Sequence, residues 1–141
     1  MRSLLVPVDG SPPSLRALDY AIAEVKALGD GASIHLVNVQ HPVPSAVSDF
    51  VGRNNIDDFH REEAEKEIAA ARQKLTESGV TFRTALLVGS PPESIAQYCK
   101  SNGIDEIIMG RRGLNRLTGL LLGAVSTRVL ALVEQPVTLI K

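Results

Sequence analysis

Short apolar runs alternate with segments of helical period from one end of the chain to the other, and this alternation restricts the fold more than any other feature. Residues 3–8 (Ser-Leu-Leu-Val-Pro-Val) form a continuous apolar run, the pattern of a strand buried on both faces. Asp9-Gly10-Ser11-Pro12 then supplies turn chemistry, a capping hydroxyl and a proline for the first helical position, after which Leu15, Leu18, Ile22, Val25 and Leu28 recur at helical spacing up to Gly29. Residues 33–39 read as a second strand between Gly31 and the breaker His41-Pro42. Residues 42–55, with Pro42, Pro44, Gly52 and several Ser and Asn, show no sustained period and are expected to be an irregular flap. From Ile56 a stripe of Ile56, Phe59, Ala64, Ile68, Ala71 and Leu75 predicts a long helix, with the charged residues 61–67 mostly on its solvated faces. A third strand at 80–88, a helix from the Ser90-Pro91 cap to Gly103, a fourth strand at 105–109, a helix from about Gly123 to Val133 and a fifth strand at 136–141 complete the chain.

Five strands alternating with four helices through short connections predict an α/β fold, an open parallel sheet with helices on both faces. Ligands of such sheets settle outside the carboxyl ends of the strands where the order reverses, which directs attention to the residues after the first, second and fourth strands. At 141 residues, with no internal repeat or linker, one domain spanning 1–141 is expected. Lys plus Arg number 15 against 16 Asp plus Glu, a net charge of -1, so the chain lacks the overall positive field that grips nucleic acid or anionic lipid. No apolar stretch approaches the ~20 residues of a membrane span. Residues 1–8 do not read as a secretion signal and the single Cys99 cannot form an intrachain disulfide, so a cytoplasmic protein with no membrane or nucleic-acid partner is expected.

Two places carry candidate chemistry. Asp9, directly after the first strand, is placed either to accept hydrogen bonds from a sugar hydroxyl or base amino group or to shape the turn with Gly10 and Ser11. Gly110, Gly113 and Gly123 follow the fourth strand, and Gly123 opens a helix whose free N–H groups and dipole favour an anion; the same glycines also suit a plain turn. No Gly-x-x-x-x-Gly-Lys-Ser/Thr loop, no lysine beside the glycines and no Gly-x-Ser-x-Gly elbow occurs. His35, His41 and His60 lack metal-ligand spacing, and Cys99 falls on the apolar side of its helix, as an inert core thiol does. Arg111, Arg112, Arg116 and Arg128 form a local basic cluster.

With Val6-Pro7-Val8-Asp9-Gly10-Ser11 at the start, Pro136-Val137 near the end, and Gly110, two residues, Gly113, nine residues, Gly123 between them, nearly the whole chain resembles a universal stress protein domain. The resemblance implies strand order 3-2-1-4-5 and, in the ATP-binding branch of that family, a bound adenine nucleotide, ATP or AMP, with Mg only where ATP is bound. Carried over by position, Pro7, Val8, Asp9 and Val39 would surround adenine and ribose. Met109, Gly110, Gly113, Gly123, Val125 and Ser126 would approach ribose and phosphates. Two further candidate binding positions depart from the pattern: Ala124 replaces the usual Ser or Thr and removes one hydroxyl, and Arg111 replaces a small polar residue, its charge either compensating at the phosphates or facing solvent. The expected function is adenine-nucleotide binding in stress response through dimerisation or partner binding, the alternative being a nucleotide-free interaction module of the same fold. With no positioned base and no phosphate-gripping lysine, no enzyme activity beyond a very slow ATPase is expected. A homodimer through the apolar last strand is expected, since that strand ends the sheet.

Overall fold

The structure is a computed structural model and describes residues 1–111 and 122–141. Its strands are β1 (Arg2–Pro7), β2 (Ala32–Gln40), β3 (Phe82–Val88), β4 (Glu106–Gly110) and β5 (Val137–Ile140). The helices are α1 (Pro12–Leu28), α2 (Ser45–Val51), α3 (Arg53–Ser78), α4 (Pro91–Asn102) and α5 (Ala124–Leu132), with a 3-10 turn at Gly29–Gly31. All four strand pairings are parallel and the sheet runs β3-β2-β1-β4-β5. The chain therefore leaves β1 in one direction to build β2 and β3, then returns to add β4 and β5 on the other side. The reversal lies between β1 and β4.

Both faces of the sheet are covered, which explains the continuous apolar runs. On one face Leu4, Val6, Ile34 and Leu36 pack with Leu18 and Val25 of α1 and Ile68 and Leu75 of α3. On the other, Leu5, Val37, Ile107 and Met109 pack with Ile95 and Cys99 of α4 and Val129 of α5. Ser11 caps α1 by accepting from the Ser14 N–H at 3.4 Å, with Pro12 at the first helical position. No helix among the described residues is long and apolar enough to cross a membrane.

Two expectations are corrected. Residues 42–55 are not irregular: most of them form α2 and the start of α3, separated by Gly52 at φ 86°. Val47, Phe50 and Val51 of α2 do recur at helical spacing, but all three are exposed, so the helix carries no core stripe. The Pro and Gly that looked like loop composition sit at its borders. The stripe of α3 also begins differently, because the spacing of Ala64, Ile68, Ala71 and Leu75 reaches back four residues to His60. His60 is buried with Nε2 3.0 Å from the His41 carbonyl, while Phe59 lies half in solvent.

Burial pushes the Cys99 thiol up to about 11, against an ordinary value near 9. The unfolded thiol ionises first, so stability is complete below about pH 9 and falls as pH rises toward 11. Urea unfolding at pH 8 and pH 10 is expected to show a smaller alkaline loss in Cys99→Val than in the parent. Thiol reagents are expected to label Cys99 only in denaturant, and rapid native labelling would contradict the burial.

Candidate nucleotide site at the reversal of the sheet

The parallel register gathers the residues that the sequence singles out. Pro7 pairs with Val37, and the pairing Leu5↔Ile107, carried two residues further, sets Pro7 beside Met109. Asp9 and Gly110 thus leave neighbouring strands at the same end of the sheet, with Val39 alongside on β2. Val8 is buried, its N–H donating to the Val37 carbonyl at 2.8 Å and its carbonyl accepting from Asn38 Nδ2 at 2.9 Å. Its backbone is committed within the protein. Pro7, Asp9 and Val39 remain half-buried at the strand ends.

Asp9 does shape the turn: its Oδ1 accepts from the Ser11 N–H at 2.9 Å, and its own N–H reaches Ser14 Oγ at 3.4 Å. Gly10 follows at φ 82°, a conformation L side chains rarely adopt, and lies under α3 with Glu67 about 3.6 Å from where a Cβ would stand.

A polar cluster missed at the level of sequence closes this side. Asn38 Nδ2 and Gln40 Nε2 both donate to Glu67 Oε2, at 2.6 and 2.9 Å, and Gln40 Nε2 also lies 2.9 Å from Asn38 Oδ1. Glu67 therefore does not belong to the solvated charges of its helix. An Asn within the otherwise apolar run 33–39 was the available signal, since a buried amide requires partners.

The other side is built by Gly110 and α5. A Cβ on Gly110 would stand 3.0 Å from Pro13 and 3.1 Å from the Ser14 nitrogen, so glycine is required there by the close approach of α1. Gly123 is the N-cap of α5 with no side-chain cap, and its N–H donates to the Arg111 carbonyl at 2.8 Å. Ser126 is buried, and its hydroxyl donates toward the carbonyls of Gly110 and Arg111 at 3.0 and 2.9 Å. That hydroxyl ties the helix to the strand end, so what α5 offers an anion is its first-turn N–H groups, bordered by the exposed Ala124 and Val125. The buried, unpartnered Nε of Arg111 stands in the same corner. Gly113 lies outside the described residues, as do Arg112 and Arg116. A half-buried carboxylate thus stands on one side of the reversal and an uncapped helix N-terminus on the other. Arg128 instead pairs with Glu93, Nε to Oε1 at 3.3 Å, and His35 is held in the core with Nδ1 2.8 Å from the Tyr98 hydroxyl.

The model of the universal stress protein family matches residues 1–141. The chain belongs to that family. It is 30% identical to universal stress protein YxiE of Bacillus subtilis, across 98% of this chain and 97% of the relative. The solved structure of MJ0577 from Methanocaldococcus jannaschii superposes with a TM-score of 0.86 at 27% identity, covering 99% of this chain and 95% of that one. At 22% identity and TM-score 0.74, the universal stress protein of Archaeoglobus fulgidus, solved with dAMP, shares the fold across 100% of this chain and 98% of its own. Family members solved with cAMP and with AMP, the latter from Arabidopsis thaliana, share it as well, with TM-scores of 0.74 and 0.69.

Gly110→Ala is expected to destabilise the protein by about 1–3 kcal/mol, the usual cost of overpacking, because the obstructing atoms include helix backbone. Denaturant unfolding with an unchanged m value checks this. An unaltered midpoint would show that α1 does not press on β4.

Proposed function

We propose that this universal stress protein binds an adenine nucleotide at the carboxyl edge of β1, β2 and β4. The observation that carries the reading is the pairing of Asp9 with the open N-terminus of α5 on either side of the reversal, one suited to ribose hydroxyls and the other to phosphate. The family members solved with dAMP, cAMP and AMP support it, because their ligands share adenine, a ribose-type sugar and phosphate. Pro7 and Val39 would border the base, and the first-turn N–H groups of α5 the phosphates. Mg enters only with a polyphosphate. The glycine motif lacks a lysine, and among the described residues no base is positioned beside it, which supports action by binding rather than by turnover.

Calorimetry with ATP and AMP tests the reading. Ala124→Ser, which restores a hydroxyl at the helix start, is expected to tighten binding roughly ten-fold, the worth of one hydrogen bond to a charged group. Gly123→Val is expected to abolish binding by filling the space beside the phosphates. Absence of heat and of competition with a labelled adenylate in both the parent and Ala124→Ser would leave the nucleotide-free interaction module as the function.

We further propose a homodimer through β5, which ends the sheet and exposes parts of all four of its residues. Pro136 and Ile140 turn their carbonyls toward β4, and strand alternation therefore turns the N–H of Leu139 to the free edge. Leu139→Pro removes that donor and is expected to yield monomer in light scattering. A persistent dimer would place the interface elsewhere.

A further inference from the structure

Glu67 lies behind the base and sugar side of the candidate site and holds the chain neighbours of both Asp9 and Val39. Its Oε2 accepts from Asn38 Nδ2 at 2.6 Å and from Gln40 Nε2 at 2.9 Å, the two residues that flank Val39. Asn38 Nδ2 also donates to the Val8 carbonyl at 2.9 Å, and the Cα and carbonyl oxygen of Glu67 lie 3.6 Å from where a Cβ on Gly10 would stand. Val8 and Gly10 flank Asp9. One residue of α3 therefore brackets Asp9 and Val39 together.

Side chains alternate along a strand, so Asn38 and Gln40 turn toward α3 while Val39 packs on the opposite face, with the core beneath α4. Asn38 is buried, and an acceptor lost there leaves an amide donor unsatisfied or forces the strand end to shift. The α5 side is tied separately, by the Ser126 hydroxyl on Gly110 and Arg111. A disturbance at Glu67 thus falls on the Asp9 turn and the end of β2.

We infer that Glu67 is a positioning residue of the adenylate site: without touching the nucleotide, its carboxylate sets Asp9 and Val39 relative to each other by holding Asn38, Gln40 and, through Asn38, the Val8 carbonyl. The inference rests on the proposed function for the identity of the ligand, but the setting of Asp9 is measurable without one.

Calorimetry with AMP well below the melting temperature, together with amide hydrogen exchange, tests Glu67→Leu and Glu67→Gln. The Ser11 N–H, buried and bonded to Asp9 Oδ1 at 2.9 Å, reports where the Asp9 carboxylate stands. Glu67→Leu keeps a good helix former but removes both acceptor oxygens. It is expected to weaken AMP about ten-fold, the order of one hydrogen bond to a charged group, and to speed Ser11 exchange while the β4 amides exchange as in the parent. Glu67→Gln retains one acceptor oxygen and is expected to recover most of both. Parental AMP affinity and Ser11 exchange in Glu67→Leu, even with a lower melting temperature, would make Glu67 a packing residue and overturn the inference. If AMP does not bind the parent, the nucleotide reading fails and Ser11 exchange alone decides. Faster exchange in Glu67→Leu that Glu67→Gln reverses supports the positioning of Asp9, and unchanged exchange overturns it. Should Glu67→Leu not fold, Gln40→Leu, which removes one of the two amides, is expected to shift the same readouts in the same direction, and parental values there overturn the inference.

Discussion

The contact between the first turn of α1 and Gly110 governs the geometry of the candidate site. With only 3.0 Å between Pro13 and the place where a Cβ would stand, the helix that follows β1 rests directly on the end of β4. This close approach sets the Asp9 turn and the Arg111 backbone at adjacent strand ends, on the two sides of the sheet reversal. A larger residue at position 110 would push α1 outward and part the two sides. The glycine that suggests a phosphate loop thus has a packing role of its own. Any ligand contact at Gly110 comes in addition to it.

From that contact the two walls follow by different physics. On the β2 side the wall is polar: Glu67 reaches down from α3 to Asn38 and Gln40, and Asn38 in turn holds the Val8 carbonyl. A carboxylate shared by two amides is a directional tie, and it locks a charged helix onto strand ends where apolar packing alone would permit sliding. On the β4 side the tie is the Ser126 hydroxyl, which joins the start of α5 to Gly110 and Arg111. This bond spends the serine's proton on structure. What remains for an anion is the set of backbone N–H groups in the first turn of α5.

The two edges of the sheet are unequal. β3 exposes Leu86 and Val88, while β5 presents four half-buried residues and a short row of outward N–H groups. An edge that is short, apolar and regular suits pairing with an identical edge, because backbone donors and acceptors then match by symmetry. The proposed dimer would place the carboxyl end of β5, and with it the Ile140 carbonyl that holds Arg111, close to the interface.

The sequence determined the layer architecture because it follows from local pattern, whereas the strand order was implied by the family resemblance. Doubly buried strands must be continuously apolar, and Ser11, Pro12, Gly79 and Gly103 mark helix ends by their own backbone chemistry. The place of the candidate site was legible for the same reason, since Asp9, Gly110 and Gly123 follow strands or open a helix. Tertiary structure alone decided what each of these residues does. His60 takes the core place expected of Phe59 because helix phase is set by what α3 packs against. Glu67 is indistinguishable in sequence from its solvated neighbours until Asn38 meets it across 29 positions. Ser126 becomes a structural donor only when α5 reaches the end of β4. Such roles depend on partners brought near by folding, and side-chain chemistry in water carries no record of which partner that will be.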